Sequence, residues 1–169
     1  MARTPRAGTQ QRQYWTFAAH PATYDIEAAV QTLETDLWPV RGKDVRVGDR
    51  VIVWKYKGGE AYRGIVALAE VTAQPEIETE AGNPFWVHAT EADMLEERVE
   101  IRYVVPPGVP LWLTTNPDDP LRSLSVSRAA GGTVFYVTDA QWQAVVKAVG
   151  GWPSAAPESV ASSTDADAR

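Results

Sequence analysis

The chain has 169 residues, 44% of them hydrophobic and 22% charged, which is one domain's worth of material with enough apolar residues for a real core. It contains no cysteine, so disulfides, thiolate nucleophiles and thiolate metal sites are excluded. The formal net charge is −6, whereas a non-specific duplex binder is expected to be basic, so any nucleic-acid role must rest on a local patch and a pocket.

In chain order, residues 1–12 are polar and aperiodic and read as a disordered leader. Gln13–Phe17 is aromatic and β-branched, a strand pattern. Thr23 is placed to cap a helix with Asp25 and Glu27 in its first turn. Ile26, Val30, Leu33 and Leu37 then recur at helical spacing, and Trp38-Pro39 ends the run. Val47-Gly48-Asp49 turns into a strand at Val51–Tyr56, and Lys57–Glu60 is a hairpin-type loop. Tyr62–Val71 is almost continuously apolar, as a strand buried on both faces would be. Ala73–Pro84 reads as an acidic loop. Arg98–Val105 alternates, with Val99, Ile101, Tyr103 and Val105 on one face, and Leu111–Leu113 is a short extended piece. Thr115–Arg122 reads as loop, with Asp118-Asp119 as turn formers. Thr138 and Gln141 form a capping box ahead of a helix whose apolar face is Trp142, Val145, Val146 and Val149, and Gly150-Gly151 stops it. Residues 153–169 lack aromatics and read as a disordered tail, leaving one folded unit at 13–152.

Strands and helices do not alternate, so a doubly wound parallel sheet is not expected. The order predicts a strand-rich α+β fold, a partly closed sheet flanked by helices. No apolar run approaches the length of a membrane span and no signal peptide is evident, so a soluble, cytoplasmic protein is expected.

Catalytic signals are weak. The two histidines, His20 and His88, are far apart, and no nucleophile elbow, zinc-ligand spacing or P-loop occurs. Neither a cofactor nor a metal is expected, and binding is the better reading. Charge is uneven: Arg41–Arg63 holds seven basic residues against three acidic ones, while Gly64–Glu100 holds nine acidic residues against Arg98 alone. Ordinary solvated surface explains both segments as readily as a phosphate-facing patch does. Seven tryptophans against three phenylalanines are the unusual feature. Core packing accounts for most tryptophans. A planar base held between indole faces is the alternative, each stack contributing about 1–3 kcal/mol.

Tyr14-Trp15-Thr16-Phe17, Trp38-Pro39-Val40-Arg41, the stretch VGDRVIVWKY at 47–56, YRGIVALAEV at 62–71 and the closing PLRSLSVSRAAGGTVFYVTDAQWQAV together resemble the EVE domain over about Tyr14–Gly150. EVE domains are PUA-like and similar to YTH domains, which read N6-methyladenosine in RNA. The resemblance implies a PUA-like β-barrel, or pseudobarrel, with flanking helices, and a non-enzymatic pocket for a modified nucleobase. A 5-methylcytosine-type base in DNA is the favoured ligand, with RNA as the other possible partner.

By the same resemblance, Trp38 stands where the first cage tryptophan of YTH domains follows the first helix, and Trp86 where the second lies. The loop Ala18–Pro21 with His20, and Tyr24 just beyond, takes the place of the base-edge loop. That loop is Asn-rich in YTH readers and has no Asn here, which makes methyladenosine itself doubtful. Arg128 matches a phosphate-contacting basic residue, with Arg41 and Lys43 as further candidate phosphate contacts. Trp15 is a candidate for core or pocket alike. Trp54 is a weaker pocket candidate, since it alternates with Ile52 and Tyr56 as a core residue would. Two other functions stay open: a sensor of a small molecule or free modified nucleoside, and an enzyme relying on an ionisable group such as His20 or Asp25. The oligomeric state is not legible.

Overall fold

Period-two alternation of apolar residues builds a sheet with both faces buried. The structure, a computed structural model, describes residues 11–57 and 62–153. Its elements are β1 (Tyr14–Ala19), α1 (Ile26–Thr32), β2 (Thr35–Pro39), β3 (Arg50–Lys55), β4 (Gly64–Val71), β5 (Glu76–Glu78), α2 (Ala89–Ala92), β6 (Glu96–Val104), β7 (Leu111–Trp112), α3 (Ser125–Arg128), β8 (Val134–Val137) and α4 (Asp139–Ala148), with a 3-10 turn at Pro120–Ser123. The strands form one mixed sheet in the order β2-β6-β4-β3-β1-β8, with β5 added to β6 and β7 to β4. The β1–β3 pair is parallel and the other pairs are antiparallel. The sheet curls into a half-barrel, the PUA-like form.

Alternation sorts the central strands between two cores. Trp15, Phe17 and Ala19 of β1 join Val51 and Val53 of β3 and Ala67, Ala69 and Val71 of β4 in one cluster. Ala18, Ile52, Trp54, Ile65 and Leu68 face the other, where Leu121, Leu124 and the α4 residues Trp142 and Val145 cover them. The β4 segment is buried on both faces, as its apolar run predicts.

Several local expectations need correction. The first helix is capped by Asp25, whose carboxylate accepts the Ala28 N–H at 3.3 Å, rather than by Thr23. It ends at Thr32, and Leu37 and Trp38 belong to β2. The spacing of Val30, Leu33 and Leu37 fits a helix, but Asp36, Trp38 and Val40 fit the strand period equally well. Pairing with β6, where Trp38 opposes Val99, decides for the strand. The acidic loop 73–84 contains β5, drawn in by its pairing with β6. The loop 115–122 ends in the 3-10 turn, whose Leu121 N–H is capped by Asp119 at 2.9 Å. Val105, expected on the buried face, is exposed just past the end of β6. The capping box of α4 is present on both sides, and Gly150 and Gly151 after the helix adopt positive φ.

The expected hairpin residues Gly58, Gly59 and Glu60 lie outside the described residues, as do nearly all of the leader and tail. Arg12, assigned to the leader, donates its Nε–H to the Gly48 carbonyl at 2.8 Å.

The turn at Gly48-Asp49 is a structural joint. Asp49 is buried, and its carboxylate accepts from the Gln13 N–H, the Arg46 N–H and the Trp15 Nε1–H, each at 2.9 Å. Asp49→Ala would strand a buried indole N–H and two backbone donors. A loss of about 2–4 kcal/mol is expected, read as a lower urea midpoint.

Candidate functional site

At one end of the curled sheet lies a cavity of about 580 Å³. The end of β1 leads into the turn carrying His20, and that turn brings Tyr24 beside β2. A lone β-bridge between Tyr24 and Trp86 ties the 80–88 loop to the same place. Four aromatic residues therefore line one cavity: Tyr24, Trp38, Tyr56 and Trp86. The Tyr24 ring stands 4.9 Å from Trp86 at 58° and 6.3 Å from Trp38 at 75°. Trp38 is backed by Phe17, whose ring is stacked at 5.6 Å. Trp38 is 4% exposed, so only part of its indole reaches the cavity, whereas Trp86 is half-buried.

The polar atoms of these rings are tethered. The Tyr24 hydroxyl donates to Asp36 Oδ2 at 2.6 Å, and the Tyr103 hydroxyl donates to the same oxygen at 2.6 Å. Trp38 Nε1–H donates to the Tyr103 hydroxyl at 3.2 Å. Trp86 Nε1–H donates to Glu80 Oε2, and Asn83 Nδ2 donates to the Tyr24 hydroxyl at 3.1 Å. The walls are thus held by two buried carboxyls, Asp36 and Glu80. Burial, and then the Asp36 carboxylate, raise the Tyr24 and Tyr103 hydroxyls above the ordinary phenol range. The same two causes, in the same order, push Glu80 up to about 8.

Cations stand at the cavity. Arg41, Lys57 and Arg63 line it, with Arg41 paired to Glu96 at 3.3 Å. Lys57 and Arg63 also line an adjoining groove of about 490 Å³ with Arg122 and Arg128. The two spaces share Lys57 and Arg63, so an aromatic cavity adjoins a basic groove.

This fold and this sequence have relatives. The EVE domain profile matches residues 13–148. The chain belongs to the EVE domain family. No curated protein matches it. Among solved structures, this EVE domain is similar to a hypothetical protein from Leishmania major (TM-score 0.58, 16% identity, covering 81% of this chain and 94% of that one). A protein from Pseudomonas putida is also similar (TM-score 0.55, 20% identity, 80% and 98% covered). So is human THYN1, solved in complex with 5-methylcytosine-containing DNA (TM-score 0.54, 11% identity, 83% and 99% covered). At these identities the likeness shows a shared fold.

Within this EVE domain, the structure brings together at the cavity Trp38, Trp86, Tyr24, His20 and Arg41. His20 is exposed, and its Nδ1 accepts the Ala22 N–H at 3.1 Å. Trp15 and Trp54 are not brought there. Trp15 is buried with its Nε1 on Asp49, away from the cavity lining, and Trp54 is fully buried on the opposite face of the sheet. Strand parity turns Trp54 to the other face, whereas Trp15 shares the face of Phe17 but stands at the start of β1, beside the Gly48-Asp49 turn. Lys43 is exposed and does not line either space, while Arg128 stands in the groove at the end of α3. Sequence reasoning missed Asp36, Glu80, Asn83 and Tyr103. Asp36 had one available signal, since it shares strand parity with Trp38. Glu80 is one of several glutamates in an acidic segment, and nothing local distinguishes it. Among the described residues, no group of three or more His, Cys, Asp or Glu side chains is arranged to hold a metal, and no helix is long and apolar enough to cross a membrane.

Proposed function

We propose that this EVE domain is a non-enzymatic reader of a modified nucleobase, with a 5-methylcytosine-type base in DNA as the favoured ligand. The observation that carries the reading is the joining of the aromatic cavity to the basic groove. Tyr24, Trp38 and Trp86 offer π-faces and apolar surface to one flat ring. A methyl group on that ring adds about 0.8 kcal/mol of buried apolar area. Lys57, Arg63, Arg122 and Arg128 offer charge to the flanking phosphates, so the domain needs no basic surface overall. The DNA complex of human THYN1, which shares the fold, supports the choice of base.

The test is direct titration of a duplex carrying one 5-methylcytosine against its unmethylated counterpart, followed by fluorescence anisotropy. Tighter binding of the methylated duplex is expected, with affinity falling steeply as salt rises. Reversing two groove charges, Arg122→Glu with Arg128→Glu, is expected to weaken duplex binding and flatten that salt dependence. Equal, negligible binding of both duplexes refutes the reading.

One observation favours a second reading, a sensor of a free modified nucleoside. Arg41 is paired to Glu96, and Glu91 lines the cavity as well, so two carboxylates stand beside that cation where a phosphate would sit. This reading expects nucleoside binding that is indifferent to salt.

A further inference from the structure

Asp36 and Glu80 are buried carboxyls that converge on one backbone donor. The Leu37 N–H lies 2.8 Å from Asp36 Oδ1 and 3.2 Å from Glu80 Oε1. The hydrogen bonds they receive come from neutral groups: Tyr24, Tyr103, Trp86, Asn83 and the Leu37 backbone. Neither carboxyl has an ion-pair partner among the described residues. Arg98, the nearest buried cation, is instead paired to Glu96 at 3.0 Å. Two carboxylates this close and this buried cannot both stay ionised at modest cost. Of the pair, Glu80 lines the cavity.

We propose that Asp36 and Glu80 hold a single proton at neutral pH, that it resides on Glu80, and that Glu80 thereby presents a neutral carboxyl, one donor and one acceptor, to the polar edge of the ring in the cavity. A neutral carboxyl complements an exocyclic amine beside an unprotonated ring nitrogen, the edge of a cytosine or an adenine. The amine donates to a remaining lone pair of the carboxyl's carbonyl oxygen, and the carboxyl O–H, turned from Asp36 toward the ring, donates to the ring nitrogen. Once ionised, the same group would turn a lone pair toward that nitrogen. Glu80 is then a specificity-determining residue of the cavity. The identity of the ring rests on the reader function proposed above; the shared proton does not.

The groups facing the pair are Tyr24 ahead of α1, Trp86 in the loop, and Tyr103 and Arg98 on β6. Both tyrosines are raised out of the relevant range, and the Arg98 guanidinium draws Glu80 down only in part. His20, Glu91, Glu96 and Arg41 line the same cavity, so the Glu80→Gln comparison, which leaves all four in place, isolates the Glu80 proton.

Two measurements decide the matter. The first is intrinsic tryptophan fluorescence of the full chain without ligand, titrated from pH 6 to pH 9.5. A transition near pH 8 is expected, because Glu80 is bonded to the Trp86 indole. It should vanish in Glu80→Gln and move to lower pH in Asp36→Asn, which removes the neighbouring charge. The second is binding of the 5-methylcytosine duplex. In the native chain the affinity at pH 7 should exceed that at pH 9 by about tenfold, and in Glu80→Gln that ratio should collapse toward one. A native chain with no fluorescence transition overturns the shared proton, as does one that Glu80→Gln leaves unchanged. A present transition with a pH-independent affinity overturns the contact to the ring. A transition with no duplex binding at any pH upholds the shared proton and overturns both the ring contact and the reader function.

Discussion

Trp86→Ala is expected to weaken binding of a methylated oligonucleotide by roughly 5- to 150-fold, the equivalent of one lost stack of about 1–3 kcal/mol, while the domain remains folded. Trp86 is half-buried and packs against the edge of the core through Tyr24, so its removal empties a cavity wall more than a core. Trp54→Ala provides the contrast. Its side chain is fully buried among Ile52, Ile65 and Leu68 on the far face, and its truncation should cost about 3–5 kcal/mol of stability. Unfolding curves and binding isotherms for the two variants should therefore move in opposite ways. Unchanged affinity in Trp86→Ala would remove the base from this cavity.

The second large effect concerns stability and pH. Glu80 sits at about 8 in the folded protein against 4.5 when free. The folded state therefore holds a proton that the unfolded state has released. The contribution is fully present below pH 4.5, declines as pH rises through the interval to about 8, and is flat above it. The slope approaches about 1.4 kcal/mol per pH unit, so the whole interval is worth on the order of 4–5 kcal/mol. Urea unfolding at a series of pH values should show this decline in the native chain. Glu80→Gln, whose amide is permanently neutral, should lack it and be the more stable protein at pH 9. Parallel curves for the two proteins would place the Glu80 proton outside the folding equilibrium.

These effects fall on residues that differ in how well the sequence announced them. Trp38, Trp86 and Tyr24 were all pointed to by the family resemblance. Trp15 and Trp54 carried the same residue type, and only the register of β1 against β3 shows which face each indole takes. Arg128 was legible as a phosphate candidate. Its companion Arg122 is a near neighbour in the chain, whereas Lys57 and Arg63 lie more than sixty positions away, and the fold alone brings those two to the same groove.

Alternation, caps and glycine turns are local properties, and the sequence by itself determined the strand-rich architecture, the buried β4, the capping box of α4 and membership of the EVE domain family. Long-range pairing is not local. It converted residues 35–39 from helix into strand, recruited β5 from an acidic loop, and set Asp36 against Glu80 across 43 intervening positions of the chain. A carboxyl's chemistry depends on what surrounds it. Only the tertiary structure, by burying these two beside one another and bonding them to Tyr24, Tyr103 and Trp86, could distinguish them from the other acidic side chains of the protein.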